Sequence, residues 1–128
     1  MPNTIISTSN APAAIGTYSQ AVRAGDLLFI SGQIPLNPVT MEMVSDDFEQ
    51  QAMQAFTNLK AVIDAADASI EQIVKINISM TDLSNFAIVN TVMATFFAEP
   101  YPARAAVGVA ELPKGSQIEI EAIVSFAG

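Results

Sequence analysis

Val74-Lys75-Ile76-Asn77-Ile78-Ser79-Met80 alternates apolar and polar side chains without a break. Successive residues of a strand point to opposite faces. Val74, Ile76, Ile78 and Met80 are therefore predicted to line one face, and Lys75, Asn77 and Ser79 the other. On either side of this stretch the period changes. Over residues 46–66, Phe48, Ala52, Phe56, Leu59, Ile63 and Ala66 recur at three- and four-residue spacing, which predicts an amphipathic helix. Ser45 is placed to cap it, with Asp46, Asp47 and Glu49 where the helix dipole favours negative charge. Residues 83–97 return to helical spacing through Phe86, Val89, Met93 and Phe97, with Asn90 near that face and Pro100 and Pro102 closing the segment.

Further out, strand patterns dominate. Residues 4–7 read as a short strand, 11–17 as a loop, and 20–23 and 27–31 as a hairpin turning at Gly25-Asp26. Residues 32–40, with Pro35 and Pro38, read as a loop. Residues 103–109 form a strand of small side chains, and 112–116 a turn containing Pro113 and Gly115. Residues 117–126 alternate again, with Ile118, Ile120, Ala122, Val124 and Phe126 on one face. Gln117, Glu119, Glu121, Ile123 and Ser125 share the other. This order predicts an α+β fold, a largely antiparallel or mixed sheet with two helices packed on one face. The uncovered face carries Ile123 and several small residues, so a symmetric oligomer is expected to cover it.

The 128 residues fit a single domain, 1–128. Hydrophobic residues make up 51% and charged residues 14%, well below the about 25% charge of ordinary soluble domains, which also points to buried surface in an oligomer. The chain has no Cys, His or Trp. That excludes disulfides, Cys- or His-ligated zinc, thiol nucleophiles and His-based triads, and no metal site or cofactor is expected. Five basic residues against thirteen acidic ones give a net charge of −8, a poor match to phosphate backbones, so no nucleic-acid partner is expected. Residues 1–14 lack the charged start and apolar stretch of a secretory signal, and no run has the length of a membrane span. A cytoplasmic location without membrane association is the expectation.

Chemistry must then come from few residues. Arg104 opens the small-residue strand beside Ala105, Ala106 and Gly108, which leaves room for a small anion on its guanidinium fork. The structural alternative is an ion pair with Glu99, Glu111, Glu119 or Glu121. Glu119 and Glu121 share a strand face about 6.5–7 Å apart. They suit acid–base work or simple solvation, and nothing else suggests a sugar site. Ser31-Gly32-Gln33-Ile34-Pro35 can offer a hydroxyl and backbone N–H groups but lacks the Gly-Lys-Ser/Thr of a phosphate loop. Tyr18 suits a pocket wall or ordinary packing, and Asn90 a ligand contact or a satisfied buried amide.

Together these segments resemble the RidA (YjgF/YER057c/UK114) family of enamine/imine deaminases. The likeness runs through residues 11–16, Tyr18-Ser19-Gln20-Ala21, Ser31-Gly32-Gln33-Ile34-Pro35 and Asn58-Leu59-Lys60. It continues through Asp82-Leu83 with Phe86 and Asn90, then Pro102-Ala103-Arg104-Ala105-Ala106-Val107, Leu112-Pro113-Lys114-Gly115 and Ile118-Glu119-Ile120-Glu121-Ala122. The resemblance implies a chorismate-mutase-like fold and a homotrimer with active sites between subunits. It implies cofactor-independent hydrolysis of 2-enamino and 2-imino acids, such as 2-aminoacrylate/2-iminopropanoate and 2-iminobutanoate, to 2-keto acids and ammonia. By the same resemblance, Arg104 binds the substrate carboxylate and Glu119 activates water. Tyr18, Ser31, Gly32 and Asn90 line the pocket, and backbone groups near Ala106 complete it.

Two departures stand out. Thr17 occupies a position that is proline in many relatives, and Ala106 one that is often cysteine, which removes any thiol role. Other members have been linked to different roles, so a non-catalytic carboxylate sensor and a chaperone-like or translation-inhibiting protein are the alternatives. If the turn at 112–116 makes a hairpin, Glu119 pairs near Val109 or Ala110 and Arg104 lies roughly 16–20 Å along the strand. On that geometry the two meet only across a subunit boundary.

Overall fold

A computed structural model describes residues 3–127, so Met1, Pro2 and Gly128 of the expected 1–128 unit lie outside the described residues. Six strands form one sheet: β1 (Thr4–Ile6), β2 (Ala21–Ala24), β3 (Leu27–Gln33), β4 (Ile73–Met80), β5 (Ala103–Gly108) and β6 (Ile118–Ser125). The order across it is β1-β2-β3-β6-β4-β5. Every pairing is antiparallel except β4 with β5. Helices α1 (Phe48–Ala65) and α2 (Phe86–Phe96) cover one face, as a mixed α+β layer requires.

The core lies between that face and the helices. The predicted stripe of α1 is buried throughout, and Phe56, Leu59 and Ile63 are fully enclosed. Each such side chain contributes roughly 1.5–3 kcal/mol through lost contact with water. The cap of α1 is Asp47 rather than Ser45. The Asp47 carboxylate accepts from the Gln50 N–H at 3.1 Å, while the Ser45 hydroxyl accepts from the Asp47 N–H at 2.9 Å, one step outside the helix. The second helical segment opens with a 3-10 turn over Leu83–Asn85 before α2 begins.

Two further expectations are corrected. Val74 is exposed, and Ile73 takes its place in the core, because the β4–β6 register shifts between Ile73 and Lys75. From Lys75 onward the predicted alternation holds. The turn at 112–116 does not join paired strands. Glu119 pairs with Ser79 of β4, not with Val109 or Ala110, and β5 is an edge strand. The reason is topological. α1 links β3 to β4 and α2 links β4 to β5, each crossing the covered face, which leaves β3, β4 and β5 running the same way. The apolar alternation of β6 is buried best between β3 and β4, so β6 inserts there antiparallel.

Two buried amides on α1 hold loops in place. The Asn58 Nδ2 donates to the carbonyls of Ile34 and Leu36 at 3.1 and 3.0 Å. The Gln51 Oε1 accepts from the Gln117 N–H at 2.9 Å, just before β6. These bonds fix both segments that flank the functional residues on the open face.

Candidate functional site

Arg104 sits on β5 in register with Ile76, so it points to the helix-covered face. There α2 presents Phe86, Asn90 and Met93, spaced four and three residues apart on one helical face. The Arg104 Nη1 donates to the Asn90 Oδ1 at 2.6 Å and approaches the Met93 Sδ at 3.4 Å. The guanidinium carbon lies 4.8 Å from the centroid of the Phe86 ring. Asn90, Met93, Ala94, Tyr101, Pro102 and Arg104 enclose a hollow of about 420 Å³. The ion-pair alternative is not formed: among the described residues the one salt bridge is Lys60–Asp64, at 2.9 Å. Asn90 is exposed, so it is not a buried structural amide either.

Glu119 lies on the opposite, open face, in register with Ser79. It borders a second hollow, of about 380 Å³, with Glu121, Ser31, Gly32, Tyr18 and Ile15 around it. A bulge shapes this place. Ile30 pairs with Ala122 but Gln33 pairs with Ile120, so Ser31 and Gly32 oppose a single residue of β6. The absent side chain of Gly32 is what makes room for the carboxylate. A Cβ there would stand 2.6 Å from the Glu119 Oε2 and 2.7 Å from its Cδ. The Ser31 hydroxyl donates to the Ser19 carbonyl at 2.5 Å, and its N–H to the Gln20 carbonyl at 2.9 Å, tying the bulge to the loop that carries Tyr18. Gln20 is buried and anchors that loop. Its Nε2 donates to the Thr8 and Pro12 carbonyls at 3.0 and 2.8 Å, and its Oε1 accepts from the Thr8 N–H at 2.7 Å. The Tyr18 hydroxyl accepts from the Ile15 N–H at 3.3 Å.

The two carboxylates differ. Glu121 is exposed, and its Oε1 accepts from the Asn77 Nδ2 at 3.2 Å. Glu119 is half-buried and has no protein donor among the described residues. Burial pushes the Glu119 carboxyl above the ordinary glutamate range, and the neighbouring charge of Glu121 adds to the rise. A carboxylate held this way is a better proton acceptor than a solvated one.

The predicted residues thus divide in two. Arg104 and Asn90 meet in one hollow; Glu119, Tyr18, Ser31 and Gly32 meet in the other. Ala106 faces the same way as Arg104, in register with Ile78, half-buried against the core and lining neither hollow. Within one chain Arg104 and Glu119 are two strands and three registers apart, about 14 Å between backbones, and on opposite faces. Their separation therefore stands on a different ground from the hairpin. The sequence reading did not name Tyr101 and Pro102 beside Arg104, or Ile15, Ile34 and Pro113 beside Glu119, as individual site residues. The signal for Pro113 was present, since it begins the 3-10 turn that precedes β6. Ile15 lies within residues 11–16 of the family likeness but has no individual signal there, and Tyr101 has none. Among the described residues, no three His, Cys, Asp or Glu side chains are grouped to hold a metal ion. Nor, among the described residues, is any helix long and apolar enough to cross a membrane.

The family model described as Endoribonuclease L-PSP matches residues 8–126. The 2-iminobutanoate/2-iminopropanoate deaminase of Dermatophagoides farinae is 50% identical over 123 residues, covering 96% of each chain. The crystal structure of RidA from Psychrobacter sp. PAMC 21119 superposes with a TM-score of 0.92 at 52% identity, covering 95% of this chain and 98% of that one. The structure of TdcF from E. coli with bound serine superposes with a TM-score of 0.91 at 45% identity, covering 95% and 98%.

Proposed function

The chain belongs to the RidA family, and from that membership we propose that it is a 2-iminobutanoate/2-iminopropanoate deaminase acting in the cytoplasm. It takes reactive 2-enamino and 2-imino acids to 2-keto acids and ammonia with no cofactor. The observation that carries this reading is a pair of complementary half-sites: among the described residues, a guanidinium without an acidic partner and a carboxylate without a protein donor. TdcF, similar over nearly the whole chain, holds serine, an amino acid of matching size and carboxylate chemistry.

In the proposed reaction Arg104 grips the substrate carboxylate through two parallel hydrogen bonds. A water bonded to Glu119 adds to the imine carbon, its oxygen forming the new C–O bond and its proton passing to Glu119. Glu119 returns that proton to nitrogen, giving the carbinolamine. It then takes the new hydroxyl's proton and passes it to the same nitrogen as the C–N bond breaks, so that ammonia leaves and the C–O bond becomes the carbonyl. Tyr18, Ser31, Gly32 and Asn90 enclose the substrate, with backbone groups near Ala106 completing the pocket.

Because the half-sites lie on opposite faces, the complete site is proposed to form between subunits of a homotrimer. The open face supports this. Ile5, Val22, Phe29 and Ile123 stand in register across four strands, with Ile5 58% and Phe29 45% exposed. A contiguous apolar row of this kind favours association. An RNA-cleaving role finds little support in a chain of net charge −8. Arg23 stacks on the Phe126 ring at 3.7 Å and Lys60 is paired, so few cations remain for phosphates.

The deciding experiment co-refolds two inactive variants, Arg104→Ala and Glu119→Gln, in equal amounts. Ammonia release is followed from imino acids generated in place by an amino-acid oxidase. Sites shared between subunits should regain about a quarter of wild-type activity, since one interface in four pairs two intact residues. Sites contained in one subunit would regain none.

A further inference from the structure

The guanidinium of Arg104 is held by groups that do not neutralise it. Its Nη1 is engaged with the Asn90 Oδ1 at 2.6 Å and the Met93 Sδ at 3.4 Å. Among the described residues neither its Nε nor its Nη2 has a protein acceptor. These two atoms form the edge that meets a carboxylate through two parallel bonds. The guanidinium carbon lies over the Phe86 ring, 4.8 Å from its centroid. An aromatic face attracts a cation yet leaves its hydrogen-bonding edge free, whereas a glutamate in the same place would occupy that edge.

We propose that Phe86 is a positioning residue of the deaminase site, its ring standing where an acidic partner would otherwise hold Arg104 and so keeping the Nε–Nη2 edge open for the substrate carboxylate. This rests on the reading of Arg104 as the carboxylate grip. Phe86 acts on binding and touches none of the reacting atoms, so the effect falls on KM. It acts through its ring, so any aromatic face serves.

The test compares Phe86→Leu, Phe86→Tyr and Arg104→Lys in the imino-acid assay, with 2-oxobutanoate titrated as a stable carboxylate probe. Phe86→Leu should raise KM, and weaken 2-oxobutanoate binding, about three- to thirty-fold with kcat within about twofold of wild type. Phe86→Tyr should restore both values. Mono-, di- and trifluorinated phenylalanine at position 86 keeps the shape while draining charge from the ring face, and KM should rise step by step. A flat fluorine series, or an unchanged KM in Phe86→Leu while Arg104→Lys loses substrate, overturns the role of Phe86 and leaves the site intact. Wild-type KM in Arg104→Lys overturns the grip itself, and the positioning role with it.

Discussion

The two hollows contrast in how each handles its charge. The Arg104 hollow is held by neutral neighbours, an amide, a thioether and a ring, so a full positive charge stands without compensation. The Glu119 hollow does the reverse: burial and a second carboxylate disfavour the negative charge. The first environment suits holding an anion and the second suits taking a proton. The sheet keeps them on opposite faces, and the proposed site needs both. The lesson is that one small domain can keep a cation and a base from quenching each other by placing a sheet between them.

The contrast can be broken from either side. The largest effects are expected from Arg104→Ala and Glu119→Gln. Each should lower kcat/KM by about 10²–10⁴-fold, but Glu119→Gln should still bind 2-oxobutanoate and Arg104→Ala should not. Equal losses of binding in both would erase the division of labour. Gly32→Ala comes next. The added Cβ would stand 2.6 Å from the Glu119 Oε2, so the carboxylate must move, and kcat should fall about 10–100-fold with KM little changed. A crystal structure of that variant with Glu119 in place would refute the account.

Smaller effects sharpen the electrostatics. In the proposed mechanism Glu119 works as its charged form, so its raised pKa should place the acid limb of the kcat profile above the ordinary glutamate range. Glu121→Gln removes one of the two causes of the rise, so that limb should move to lower pH; a limb that stays in place would clear Glu121 of any influence. The smallest effect concerns stability. A glutamate whose folded pKa is raised favours the protonated folded state, so its contribution is present below the unfolded pKa and lost as pH rises through the folded one. Glu119→Gln, which lacks that charge, should therefore show a higher Tm than wild type at neutral pH. The two should converge in acid, below the unfolded glutamate pKa, and thermal melts across that range would show it.

Much of the fold was legible because it rests on local periodicity. The α1 stripe and the alternation of β6 are each encoded within one segment, and burial followed them closely. Val74 escaped because a register shift depends on the partner strand, which the segment does not contain. Glu119 and Arg104 were legible as chemical types in a chain without His or Cys. Gly32 was legible as a loop glycine and as part of the family likeness, but its closeness to Glu119 was not, because the two residues are 87 positions apart.

By itself, then, the amino-acid order determined which segments bury which face and which functional groups the protein can deploy, since side-chain direction repeats with the backbone period. Only the tertiary structure decided that β6 enters between β3 and β4, that Phe86 lies against Arg104, and that base and cation part to opposite faces. Strand pairing is a choice among distant partners. It is settled by how the whole sheet buries its apolar face, a quantity that no single segment carries.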